Sequence, residues 1–123
     1  MKNIFSILFL CLILSAEIFA QCPNCVIDNC SATLPDGGIC NTILPDGTVN
    51  QPYDQDESFY MPPTIDFPPF TGISLRRIKI IGISGLPFGI DWESSRSASN
   101  DEYFPSNGDE LGCVKFCGTP LPV

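Results

Sequence analysis

The sequence predicts an all-β fold, an antiparallel sandwich of short strands preceded by a disulfide-rich extension. Three observations carry this. Twelve Pro and ten Gly in 123 residues interrupt any long helical pattern and supply turns. Apolar and polar residues alternate in short runs, most clearly over Arg77-Ile78-Lys79-Ile80, which is strand and not helix periodicity. Cys22, Cys25, Cys30, Cys40, Cys113 and Cys117 lie near the two ends of residues 21–123, the distribution of a cross-linked small domain.

Residues 1–20 read as a signal peptide. Met1-Lys2-Asn3 precedes an apolar run from Ile4 to Leu14, and Ala20 offers a small-residue cleavage site. The run is shorter than the roughly 20 residues that cross a bilayer, so no membrane span is expected after cleavage, and the chain is expected to be secreted or at the cell surface. Lys2 and Glu17 leave together, so the mature chain keeps the net charge of −8. That acidity excludes nucleic acid as a partner, because phosphate neutralisation needs clustered Lys and Arg. The absence of His removes Ser-His and Cys-His catalysis and the commonest metal ligand.

Residues 21–41 form a Cys-rich lead-in with little apolar periodicity, dependent on cross-links for any fixed shape. Cys22-Pro23-Asn24-Cys25 has C-x-x-C spacing, but no helix pattern follows it, as a redox dithiol requires. Zinc binding by four thiolates competes poorly with disulfide formation in an oxidising compartment. A lipid anchor on Cys22 is disfavoured by Gln21 before it. Cys113 and Cys117 lie four apart on one strand, about 13 Å at 3.3 Å per residue. A disulfide needs Cα atoms within roughly 7 Å, so each is expected to bond one of the four N-terminal cysteines.

The sandwich occupies residues 42–123. Leu34-Pro35-Asp36-Gly37 and Leu44-Pro45-Asp46-Gly47 are turns in which Pro fixes φ and Gly takes a positive φ. Gln55 to Met61 reads as a strand. Met61-Pro62-Pro63 and Pro68-Pro69 make the next stretch an extended loop or edge, since Pro cannot donate to a ladder. Ser74 to Ser84 carries the strongest strand pattern, with a bulge near Gly82 where the phase reverses. Gly85 to Gly89 is a turn, and Ile90 with Trp92 marks a short strand whose tryptophan is expected to anchor the core. Ser94 to Gly112 reads as a long polar surface loop, and Leu111 to Gly118 as the final strand.

Three of these segments carry a resemblance. Leu44-Pro45-Asp46-Gly47-Thr48-Val49-Asn50-Gln51-Pro52-Tyr53 resembles the opening strand and turn of the Ig-like (cadherin-like, dystroglycan-type) repeats of bacterial exported surface proteins. Gly82-Ile83-Ser84-Gly85-Leu86-Pro87-Phe88-Gly89-Ile90 resembles their central turn, and Gly118-Thr119-Pro120 the tripeptide closing a later strand. Asn50 stands where the family usually has Gly. The resemblance implies an Ig-like antiparallel sandwich of four or five strands, lacking the C-terminal strands that follow the closing tripeptide in the family, and an adhesion or spacer role. An incomplete sandwich leaves an open sheet edge, which predicts edge-mediated self-association.

No catalytic constellation is expected. Gly82-Ile83-Ser84-Gly85 is not a nucleophile elbow and Ser84 has no base. Paired carboxylates alone do not make a glycosidase without a cleft and a raised-pKa acid. Asp54, Asp56, Glu57, Asp101 and Glu102 are hard oxygen donors and so calcium candidates, although none sits in a D-x-D-x-D-G loop; otherwise no cofactor is expected. The reading is a non-catalytic exported module whose partner is an unknown protein or carbohydrate surface ligand. The alternative is a self-contained disulfide-rich secreted ligand, inhibitor or toxin-like.

Overall fold

The computed structural model describes Cys22 and residues 24–123; the expected signal peptide lies outside the described residues. The chain is all-β and antiparallel. Its strands are β1 (Gly38–Ile39), β2 (Tyr53–Tyr60), β3 (Thr64–Phe67), β4 (Phe70–Ser74), β5 (Ile78–Lys79), β6 (Ile90–Ser94), β7 (Glu102–Tyr103) and β8 (Leu111–Gly118). They form a four-stranded sheet in the order β1-β2-β8-β6 and two ribbons, β3-β4 and β5-β7.

The strand at 111–118 stands as the sequence indicates and becomes the spine of the main sheet. It pairs along its whole length with β2, from Tyr53 opposite Gly118 to Tyr60 opposite Leu111. On its other side β6 runs from Ile90 opposite Gly118 to Ser94 opposite Val114. Because side chains alternate, this register sorts them into two faces. Cys113, Lys115 and Cys117 share one face with Asp54, Asp56 and Ser58 of β2 and Asp91 and Glu93 of β6. Val114 and Phe116 share the other with Tyr53, Glu57, Phe59, Ile90 and Trp92.

Two disulfides clamp the N-terminal segment to this sheet, and a third closes a loop within that segment. Cys22 bonds Cys117 with Cα atoms 5.6 Å apart, and Cys25 bonds Cys113 at 6.1 Å. Cys30 and Cys40 close a short loop at 5.6 Å. The backbone N–H of Val26 donates to Asp56 Oδ2 at 3.2 Å, and that of Asp28 to Ser58 Oγ at 2.8 Å. Segment 22–28 therefore lies across the polar face and covers it. The bonds are needed, because the buried apolar set is small: Met61, Tyr103, Val114 and Phe116 besides Cys22 and Cys113. A core of that size stabilises a domain only weakly without staples.

Four sequence expectations are corrected. The segment 74–84 is not one long strand; Ser74 ends β4, and beyond it only Ile78–Lys79 is strand, paired with β7. Its alternation is real, but no neighbouring strand lies along the rest, and Ile81 is 91% exposed. Of the two readings of the proline-bounded stretch, loop or edge, the structure has the edge: β3 and β4 form a two-stranded ribbon. Pro68 and Pro69, joined by a cis peptide bond, form the tip of the β3-β4 hairpin, where neither need donate to a ladder. The polar stretch 94–112 contains β7 and two 3₁₀ turns, and its Tyr103 is completely buried. Tyr103 packs edge-on against Phe59, with ring centroids 5.2 Å apart, and shares a hydrogen bond of 2.9 Å with Ser95 Oγ. Tyr103 thus occupies the anchoring place expected of Trp92, which is only half-buried on β6. The strand count also exceeds four or five, because the extra strands are two-residue pairings and a hairpin hidden by prolines.

Candidate functional site

Lys115 is the one charged residue within the otherwise uncharged run Leu111–Gly118, and the register places it amid carboxylates. Its Nζ donates to Asp54 Oδ1 at 2.5 Å and lies 2.8 Å from Asp56 Oδ1. The side chain is 10% exposed, whereas Asp54 is 56% exposed. Hydrogen bonds to Asp54 and then Asp56 push the Lys115 pKa above the ordinary lysine value, outweighing the burial that opposes it. The ammonium is therefore held protonated at neutral pH and is neither a base nor a nucleophile. It neutralises the acidic face beneath the clamped segment.

The sign of the pH effect follows from that direction. Folded Lys115 keeps its proton to higher pH than a lysine in the unfolded chain. Its contribution is complete below the unfolded value of about 10.4 and is lost as pH rises through the folded value. Tyr53 acts in the same window. Its pKa is raised by burial and then by Asp46, and its hydroxyl donates to the Pro45 carbonyl at 2.8 Å. Denaturant midpoints are expected to fall above about pH 10, and Lys115→Met should flatten that fall as measured by chemical denaturation across the alkaline range.

The carboxylates considered for calcium do not converge. Asp54 and Asp56 are engaged by Lys115, while Glu57 projects from the opposite face. There its Oε1 accepts the Asn41 N–H at 2.8 Å, and its Oε2 is buried without a hydrogen-bond partner among the described residues. Asp101 accepts from Ser94 Oγ at 2.6 Å, and Glu102 pairs with Arg77 at 3.7 Å. Among the described residues no three His, Cys, Asp or Glu side chains are placed to hold a metal ion. The C-x-x-C pair is likewise consumed structurally, Cys22 and Cys25 bonding Cys117 and Cys113 and not each other.

The three turn motifs, distant in sequence, meet at one end of the main sheet. Leu44, Pro45, Asp46, Gly47 and Tyr53 face Leu86, Pro87 and Ile90, with Phe116 and Pro120 completing an apolar cleft of about 190 Å³. Main-chain bonds join the turns: Asn50 N–H to Pro120 O at 2.8 Å, Thr119 N–H to Gly89 O at 3.1 Å and Leu121 N–H to Phe88 O at 2.8 Å. The cleft is smaller than the roughly 300–1,000 Å³ of small-molecule sites, so it reads as the seam between packed turns. The β3-β4 hairpin is the more conspicuous surface. Phe67 and Phe70 flank its tip at 67% and 63% exposure, and Ile73 follows on β4. The proline pairs in the sequence signalled a loop or edge and concealed this apolar projection. Lys115 was legible only as one member of the period-2 face that holds Cys113 and Cys117.

No helix among the described residues is long and apolar enough to cross a membrane. Three intramolecular disulfides are the chemistry of an oxidising compartment. No protein-family model, curated protein or solved structure matches this chain.

Proposed function

We propose that the chain is a non-catalytic extracellular module of Ig-like kind, exported by its N-terminal leader and serving as an adhesive or spacer unit. The observation that carries this reading is the Cys22–Cys117 bond, which joins positions 95 residues apart in sequence. A pull applied to the chain outside these two cysteines passes through sulfur and not through the sheet. A module held this way keeps its length under load, which suits a spacer between a surface and a partner.

Single-molecule extension of the oxidised chain between reference domains tests it. Unfolding is expected to add almost no contour length, whereas reduction should release on the order of 300 Å at about 3.3–3.6 Å per residue. Long extension of the oxidised chain defeats the reading. The projecting Phe67 and Phe70 favour the alternative of a self-contained secreted ligand such as an inhibitor or toxin-like chain, in which the hairpin tip enters a partner's cleft.

A further inference from the structure

Among the described residues the outer strands β1 and β6 of the main sheet and both strands of each ribbon present open edges, and the β6 and β5 edges carry opposite charge. On β6, Ser95 N–H donates inward to the Cys113 carbonyl. Antiparallel ladders alternate direction residue by residue, so Asp91 and Glu93 also turn their main chain toward β8, and Trp92 turns its own outward. Among the described residues no strand lies beside that edge. On β5, Ile80 N–H donates to Asp101 O, and Ile78 and Lys79 pair with Tyr103 and Glu102. By the same alternation Arg77 and Lys79 turn their main chain outward, and both side chains are exposed.

We infer that a second copy of this chain docks here, the β5 edge of one molecule adding to the β6 edge of the next. The charges select this pairing. Two β6 edges bring Asp91 and Glu93 against themselves, and two β5 edges do the same with Arg77 and Lys79; like charges so placed repel. Of these three combinations only the mixed one is attractive. The backbone agrees in a parallel addition. With Trp92 opposite Ile78, its N–H and C=O meet the outward groups of Arg77 and Lys79, Asp91 lies beside Arg77, and Glu93 lies beside Lys79. The contact uses different surfaces on the two molecules, so it propagates head to tail. It names a partner for the module proposed above and rests on that reading only for its setting. The extension experiment judges the module, and the following one judges the contact.

The test is sedimentation equilibrium on the oxidised chain lacking its leader, over a range of concentration and salt. The weight-average mass is expected to rise with concentration past that of a dimer, and to fall back at high salt. Asp91→Lys/Glu93→Gln and Arg77→Glu/Lys79→Glu should each weaken association at least tenfold. Mixing the two variants should restore it, because each then presents a complementary edge to the other, and an unfolded variant cannot give that recovery. A native chain that stays monomeric throughout overturns the inference. So does association that survives both sets of substitutions, or that Phe67→Ser/Phe70→Ser abolishes while the charge variants do not.

Discussion

Replacing Cys22, Cys25, Cys113 and Cys117 together by serine is expected to destabilise the mature chain by about 3–5 kcal/mol, measured as a lowered denaturant midpoint. The two nested bonds close loops of 95 and 88 residues in sequence, near the upper end of what chain entropy allows, since stabilisation grows with the logarithm of loop length; either bond alone keeps most of that constraint, so both must be removed to release it. Against that stands a net stability of roughly 5–15 kcal/mol for an ordinary domain, and this chain buries few large apolar side chains to approach even that range. The fourfold variant should therefore be mostly unfolded at physiological temperature. Cys30 and Cys40 span only 10 residues, so the corresponding pair of serines should cost less by about 1–2 kcal/mol on the same scaling. A loss of equal size at both sites would show that the long bonds contribute little constraint to the unfolded chain.

Gly118→Ala should be nearly as damaging, at roughly 3 kcal/mol or more, although it adds a single methyl. Gly118 has φ +134°, and a Cβ there would lie 2.0 Å from the carbonyl oxygen of Gly89. Gly89, at φ +88°, faces the reciprocal problem, its Cβ falling 2.1 Å from the Thr119 carbonyl oxygen. The two turns approach through backbone alone, which is what permits the hydrogen bonds from Thr119 and Leu121 across the seam. A substituted turn must move away, opening the end of β6-β8 pairing and the apolar cleft together. Gly82→Ala is the control: nothing lies within 4 Å of that Cβ position, and its midpoint should stay unchanged or rise slightly. Thermal or denaturant unfolding of the two variants decides the matter.

These two glycines also show how far the sequence could be read. Gly-Leu-Pro-Phe-Gly and Gly-Thr-Pro announce turns by their own chemistry, so the turns are legible one at a time. That they press against each other depends on β6 and β8 being neighbours, which no local pattern encodes. The same limit explains the segment 74–84. Its alternation satisfies strand chemistry, but strand formation needs a partner ladder, and the fold supplies one only opposite Ile78 and Lys79. Tyr103 was invisible for a related reason, lying in a polar stretch whose periodicity is too short to register while its burial comes from Phe59 and the close approach of β8. β8 itself was readable throughout, because eight consecutive residues pair with β2, five of them also with β6, and the two cysteines mark one face. The carboxylates near Lys115 were visible as a charge cluster, but their counter-ion sits 61 residues away from Asp54 in sequence, beyond any spacing rule.

The position of β8 within the main sheet has a consequence for how the chain is made. It is the last of the described strands in sequence, yet it lies between β2 and β6. A nascent polypeptide that has emerged only as far as Asp109 holds both flanking strands with nothing to join them. Cys22 and Cys25 likewise wait as thiols until their partners at 117 and 113 arrive. Synthesis proceeds at about 5–20 residues per second, so the four-stranded sheet cannot be completed until residues 111–118 have left the ribosome. Non-local pairing of this kind then closes slowly. The architecture thus delays the main sheet until its central strand is present, and the segment before residue 111 is made without it.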